Sequence, residues 1–323
     1  MNENFVNFIG NYTHNKIAVA VSGGVDSVCL LHWLAALKMD IVALHVNHGL
    51  RDAAGVEADY IKKLSAQLNI PCKVFEWVGD KPTSNLESVA RDVRYKFMTD
   101  YCHDNNIDTL LVAHQSDDQI ETFLMHLSRG SGVYGLAAMR AESEYNGIKI
   151  VRPLLDVPRA ELKDYCDTNN IKYFMDEMNE DESYTRVRIR KNRCVLNDAL
   201  GISDDRILLA IKNLSRTRDA MDAYIAGRID SVMEKDRAVF DESFLFDEPL
   251  GFSLKLLGCL VQKIGGDRYQ PRLNSLEKAL SCLGSDCKIT LGHCTLRRLG
   301  DKILVVPEGK STSFRKRRNE KIK

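Results

Sequence analysis

The chain has no net charge: 45 lysines and arginines balance 45 aspartates and glutamates over 323 residues. Global basicity therefore announces no nucleic-acid partner, and any such contact must come from local clusters. No apolar run approaches the length of a membrane span, and the opening MNENFVNFIGNYTHNK lacks the basic stretch and cleavable apolar segment of a secretory leader. These absences predict a cytoplasmic protein with no membrane partner. The nine cysteines include no CxxC pair. Cys29, Cys102 and Cys166 stand where helix cores take small apolar residues, so free thiols are expected and disulfides are not. Repeats and low-complexity tracts are also missing.

What is present is ordinary for a globular protein, 44% hydrophobic and 28% charged, with length enough for two domains. Its organising stretch is Ser22-Gly23-Gly24-Val25-Asp26-Ser27, between the apolar run 17–21 and an amphipathic segment over 28–37. Strand, glycine loop and helix in that order predict a nest of backbone N–H groups, reinforced by the positive end of the helix dipole, that binds phosphate. The structural alternative is a turn that uses glycine only for geometry. A GxxxxGK[ST] loop needs a lysine for the outer phosphates and none is here, which disfavours a kinase or GTPase.

Apolar strands at 41–47, 71–78 and 108–113 alternate with helices at 57–68, 84–105 and 117–128, and a further strand and helix follow at 148–153 and 159–169. This pattern predicts an α/β fold, a doubly wound parallel sheet with ligands at the carboxyl ends of its strands. Beyond it, helical patterns at 204–235, 252–264 and 274–282 and a hairpin over 294–306 predict a smaller, mostly helical α+β domain. The boundaries are set at 1–215 for the catalytic domain and 216–323 for the smaller one.

Candidate site residues lie in the loops after the strands. His45 and His48 are three apart at a strand end without a third metal ligand in suitable spacing, so sheet packing, a turn contact and nucleotide contacts all compete better than zinc. Cys282, Cys287, His293 and Cys294 are too loosely spaced for zinc. Glu87, Arg91 and Arg94 share one helix face, either as a solvated ion-paired surface or as charge neutralisers beside a phosphate. At 113–122, Asp117 reads as a helix cap. Asp118 and Glu121, three apart on one face, could hold magnesium or an amine substrate, and His114 could touch phosphate or move a proton. Residues 129–135 read as a mobile glycine loop. Two basic clusters stand out, Arg186 to Arg193 and Arg315 to Lys323; the first alternates with Val187 and Ile189, which leaves strand and helix open.

Taken together, SGGVDS, HVNHGLR, ExxARxxRY, AHQSDDQIET, RGSGVYGL, VRPLL and DEMN followed by RVRIR resemble, in order, the motifs of the tRNA(Ile)-lysidine synthetase branch of the ATP pyrophosphatase family. The resemblance implies a ligase that uses ATP to adenylate the wobble cytidine of an isoleucine tRNA with a CAU anticodon. Free L-lysine then displaces AMP, so that AUA is read as isoleucine. It implies that Ser22, Gly23, Gly24, Val25, Asp26 and Ser27 bind ATP, with Asp26 on magnesium, and that Arg94 and His114 lie near the reacting phosphate. Asp118 and Glu121 would take lysine, Arg91 and Arg190 would meet phosphate or RNA, and the smaller domain would contact tRNA. A homodimer is compatible with it. Gln115 departs from the family pattern, where a second histidine is common, and Met178 replaces a common serine. A thiolating relative would want a CxxC or a catalytic cysteine near the loop, and a silent RNA binder would not require Arg94, Asp118 and Glu121 together.

Overall fold

The computed structural model describes residues 1–12, 16–49, 54–79, 81, 86–174, 185–267, 269–285 and 287–309. It divides into two compact units, Met1–Arg216 and Thr217–Lys323. The first contains, in chain order, α1 (Glu3–Ile9), β1 (Ile17–Ala20), α2 (Val25–Ala36), β2 (Ile41–Asn47), α3 (Ala54–Gln67), β3 (Cys72–Glu76) and α4 (Leu86–Asp104). It continues through β4 (Thr109–Leu111), α5 (Ser116–Leu127), α6 (Val133–Leu136), β5 (Glu142–Tyr145), β6 (Ile148–Val151), α7 (Arg159–Thr168), α8 (Thr185–Leu200) and into α9 (Asp204–Asp230).

The sheet order is β3-β2-β1-β4-β6-β5, parallel except for β5. Strands buried on both faces explain the apolar runs: in β1, Ile17 and Val19 join the core under α1, α2 and α7, while Ala18 points into the core under α4. The strand order reverses between β2 and β4 on either side of β1, and ligands of such sheets bind at that switch, outside the carboxyl ends. α2 begins at Val25, three residues before the expected start, and is not amphipathic: Val28, Leu30, Leu31, Trp33 and Leu34 are all buried. It lies between the sheet and the side chains of α1 and α7, so every face meets protein.

Three further segments go beyond what the sequence indicated. An antiparallel strand, β5, precedes β6 through Asn146 and Gly147, both at positive φ, as a tight two-residue hairpin requires. Residues 129–132 turn the chain into α6, which takes the rest of the glycine-rich stretch from Val133. The basic segment at 186–193 is helical, within α8, which packs on α5.

The second unit pairs β7 (Met233–Glu234), β8 (Arg237–Asp241), β9 (Lys288–Leu291), β10 (Cys294–Leu299) and β11 (Lys302–Pro307) in the antiparallel order β7-β8-β11-β10-β9. α10 (Ser243–Phe246), α11 (Leu250–Gly265) and α12 (Leu273–Gly284) share a core with it through Leu256, Leu260, Leu283, Leu296 and Val305. The expectation of no disulfide is corrected here: Cys282 and Cys287 are bonded, with Cα atoms 5.3 Å apart. The chain turns back where α12 ends, the Cys287 N–H donating to the Cys282 carbonyl at 3.2 Å, and this brings the two thiols together. Among the described residues no helix is long and apolar enough to cross a membrane.

Candidate active site

The glycine loop turns between β1 and α2 on hydroxyl contacts. Gly23 has φ +95°, and a Cβ there would stand 3.5 Å from the Phe174 ring, whose backbone N–H donates to the Gly23 carbonyl at 2.9 Å. Gly24 caps α2 in an extended conformation without a side chain. The buried Ser27 Oγ accepts the N–H groups of Ser22 and Gly23 at 3.1 and 3.2 Å and donates to the Gly24 carbonyl at 3.0 Å. Ser22 Oγ lies 3.1 Å from it, at the exposed mouth of the loop. Amides and hydroxyls thus converge on one point at a helix N-terminus, where negative charge is favoured. Val25 contributes only backbone, its side chain being buried.

Asp26 stands one residue into the first turn. Its Oδ1 is buried and accepts no hydrogen bond, with Arg159 Nε 3.7 Å away. Burial pushes its carboxyl up to about 6, against the pull of Arg159, and Asp118 and Asp117 add to the rise. A carboxylate oxygen left without a hydrogen bond beside such a nest fits a magnesium ion held also by phosphate oxygens and water. Among the described residues no three His, Cys, Asp or Glu side chains converge as an all-protein metal site.

Across the switch, the end of β4 and the start of α5 supply the acidic face. Gln115 is the N-cap, accepting the Asp117 N–H at 2.5 Å, and Asp118 Oδ2 accepts the Gln115 N–H at 3.1 Å, which closes a capping box. The cap expected of Asp117 is therefore made by Gln115 and Asp118, and Asp117 pairs with Arg193 at 3.2 Å. Glu121 is fully buried: Oε1 accepts Arg190 Nε at 2.8 Å, and Oε2 accepts nothing. Burial raises the pKa of both Asp118 and Glu121; the Gln115 N–H limits the rise at Asp118 and Arg190 limits it at Glu121.

His114, in the connection between β4 and α5, has a buried Nδ1 without a hydrogen-bond partner. Burial first, then Arg91, Arg152, Arg94 and Arg186, hold its imidazole well below the usual histidine range. Arg91 and Arg94 come from α4, where both lie over the Tyr95 ring. Arg152 is the residue that sequence reasoning passed over, and its signal was a charged side chain standing directly at the carboxyl end of a strand. Asp26, Asp118 and Arg190 interact electrostatically, as do Glu121, Asp118 and Arg186, so the glycine loop, the acidic pair and α8 face one region.

His45 packs in the sheet, its Nδ1 2.8 Å from the Val21 carbonyl. His48 rests edge-on against Trp77, and burial, with Arg94 nearby, pushes it down to about 4. The side chain of Glu87, and Arg51, Asp176, Met178, Asn179 and the basic tail from Arg315, lie outside the described residues.

Comparison with known proteins adds sequence and fold. The family described as PP-loop domain matches residues 1–196. The chain is 35% identical over 318 residues to the tRNA(Ile)-lysidine synthase of Wolbachia pipientis wMel, covering 95% of this chain and 73% of that one. Against the tRNA(Ile)-lysidine synthase of Ruegeria pomeroyi it is 34% identical over 307 residues, 92% of this chain and 72% of the other. Among solved structures, the U34-tRNA thiolase NcsA from Methanococcus maripaludis matches with a TM-score of 0.55 at 18% identity, over 66% of this chain and 78% of that one. At that identity the likeness carries the fold alone.

Proposed function

We infer the reaction from one premise: this chain belongs to the tRNA(Ile)-lysidine synthase family of PP-loop proteins, and it is an ATP-dependent ligase. The reaction we propose joins free L-lysine to the wobble cytidine of an isoleucine tRNA with a CAU anticodon, in two steps. First the cytidine C2 oxygen attacks the α-phosphorus of ATP and pyrophosphate leaves. Then the lysine ε-amine attacks C2, the C2–O bond breaks, and AMP departs with that oxygen. A ring carbonyl is a poor electrophile until its oxygen becomes part of a phosphate leaving group, which is what ATP supplies. The product makes AUA read as isoleucine.

The residues divide this work. The Ser22 and Gly23 amides with the Ser22 and Ser27 hydroxyls would hold pyrophosphate, exchanging their mutual hydrogen bonds for phosphate oxygens. Magnesium, when bound, would neutralise phosphate charge, and Asp26 is the side chain placed to hold it. Arg94 would stabilise charge on the α-phosphate in the transition state, and His114 stays neutral beside it. Asp118 and Glu121 would hold the ε-ammonium and take the proton it must lose before attack. Their raised pKa values make them better bases than exposed carboxylates.

One observation carries the choice of an amine: Glu121 Oε2, fully buried and without a hydrogen bond, on the same helix face as Asp118. A buried carboxylate oxygen is costly unless a donor meets it. The test is AMP and pyrophosphate release from ATP with an isoleucine tRNA transcript, following labelled lysine into RNA. Label that requires ATP and the anticodon cytidine supports the reading. AMP release without lysine in RNA would assign the adenylating site another nucleophile, and no release would leave an RNA binder.

A further inference from the structure

Arg152 stands directly after β6, and the reaction outlined above does not use it. Val112 N–H donates to the Val151 carbonyl at 2.9 Å, so the ends of β4 and β6 run side by side and Arg152 emerges beside the segment that carries His114. Its guanidinium is pinned on one edge: Nη1 donates to the Arg140 carbonyl at 3.0 Å and to Ser143 Oγ at 2.9 Å. Both acceptors are neutral. Nε is buried and donates to nothing. Arg91 lies 4.9 Å from the centroid of the Tyr95 ring and donates to the Tyr95 hydroxyl at 3.4 Å, and Arg94 lies 5.9 Å from the same ring. The Tyr95 hydroxyl interacts with Arg152 as well. Three guanidiniums therefore gather at one tyrosine, and no carboxylate bonds Arg152 among the described residues. Arg152 and Arg91 packed this way repel, and the burial of Arg152 is costly, unless an anion completes the pair.

We propose that Arg152 and Arg91, with Tyr95 between them, form a second phosphate site, separate from the glycine nest. The inference rests on the reading that the crevice takes ATP and RNA. β6 is two strands from β1, which at the usual strand spacing sets the site about 10 Å from the glycine loop. That separation suits a backbone phosphodiester of the tRNA beside the target nucleotide, with the nucleotide's own α-phosphate as the other source of the same chemistry. Arg152 supplies a fork rather than a point charge, and with one edge pinned its Nε is the donor that no protein group satisfies.

The test uses the full chain carrying Arg152→Gln or Arg152→Lys, beside wild type, with tRNA affinity measured from about 50 to 200 mM salt, ATP KM and melting temperature. Arg152→Gln is expected to weaken tRNA binding about tenfold and to reduce the salt slope by about one, with ATP KM within about twofold of wild type. Arg152→Lys should restore the salt slope but only part of the affinity, since it lacks the fork. A rise in ATP KM with an unchanged salt slope would keep the phosphate site and assign it to the nucleotide. Unchanged tRNA affinity and ATP KM in a variant that melts like wild type would overturn the site. If Arg152→Gln does not fold, the same comparison is read from Arg152→Lys, where full tRNA affinity and unchanged ATP KM overturn it. Should wild type put no lysine into tRNA, the proposed reaction fails separately, and calorimetric binding of inorganic phosphate to wild type and to the folded variant still decides the site.

Discussion

Arg190 Nε meets Glu121 Oε1 at 2.8 Å, and the carboxylate it pairs with has no exposed surface. The protein thus places a cation of its own on one oxygen of Glu121 and leaves the other oxygen bare. The pair joins α8 to α5, so the basic segment that looked like an RNA surface also holds the acidic face in position.

Removing Arg190 strands a buried charge. Arg190→Met should lower stability by about 3 kcal/mol, and adding Glu121→Gln should restore at least half of that loss. Urea denaturation of the two single variants and the double variant closes the cycle; strictly additive losses would show that the two side chains are energetically independent.

The two carboxylates are expected to act on lysine and not on ATP. Asp118→Asn and Glu121→Gln should each raise lysine KM at least about tenfold while ATP KM stays within about twofold. An unchanged lysine KM would remove that residue from the amine site.

Lysine binding should weaken with acid earlier than ordinary carboxylates allow. Burial raises Asp118 and Glu121, so as pH falls they gain protons, and lose their hold on the ammonium, above the usual carboxylate range near pH 4. Calorimetric lysine affinity across pH 8 to 5 checks this, and a flat profile would contradict it.

Asp26 should be a stability cost that function retains. Below its ordinary value of 3.8 both folded and unfolded states are protonated; between 3.8 and about 6 only the folded state holds the proton, so stability falls as pH rises through this window. Above it the full cost is present, up to about 3 kcal/mol. Asp26→Asn should therefore stabilise the metal-free protein at pH 8, lose that gain on acidification, and lose most ligase activity. Thermal melts in chelator and turnover assays measure the two effects.

Gly23→Ala tests the loop. With φ at +95°, which an L side chain rarely adopts, the substitution should cost about 1–3 kcal/mol, the new carbon itself making only ordinary contact with Phe174 at 3.5 Å. It should also raise ATP KM while leaving lysine affinity in place. Wild-type ATP KM in a folded variant would show that the nest tolerates a side chain.

Much of this was legible from local chemistry. The apolar runs announced a two-sided parallel sheet, the paired glycines announced the turn, and the spacing of Asp118 and Glu121 put them on one face. The missed hairpin was legible too, since Asn146-Gly147 is a strong two-residue turn signal, but the flanking strand Glu142–Tyr145 is polar and did not look like part of a buried sheet. The start of α2 was misplaced because it is buried all round and has no amphipathic edge to mark its onset.

What the sequence by itself determined was periodicity and backbone permission: which segments could be buried strands, where φ could turn positive, which side chains shared a helix face. Only the tertiary structure decided who meets whom among the charges. Arg190 and Glu121 are 69 residues apart, and Arg91 and Arg152 come from a helix and a strand end on different parts of the chain. Charge interactions depend on distance in space and on burial, and neither is written in local spacing until the sheet brings the strand ends together.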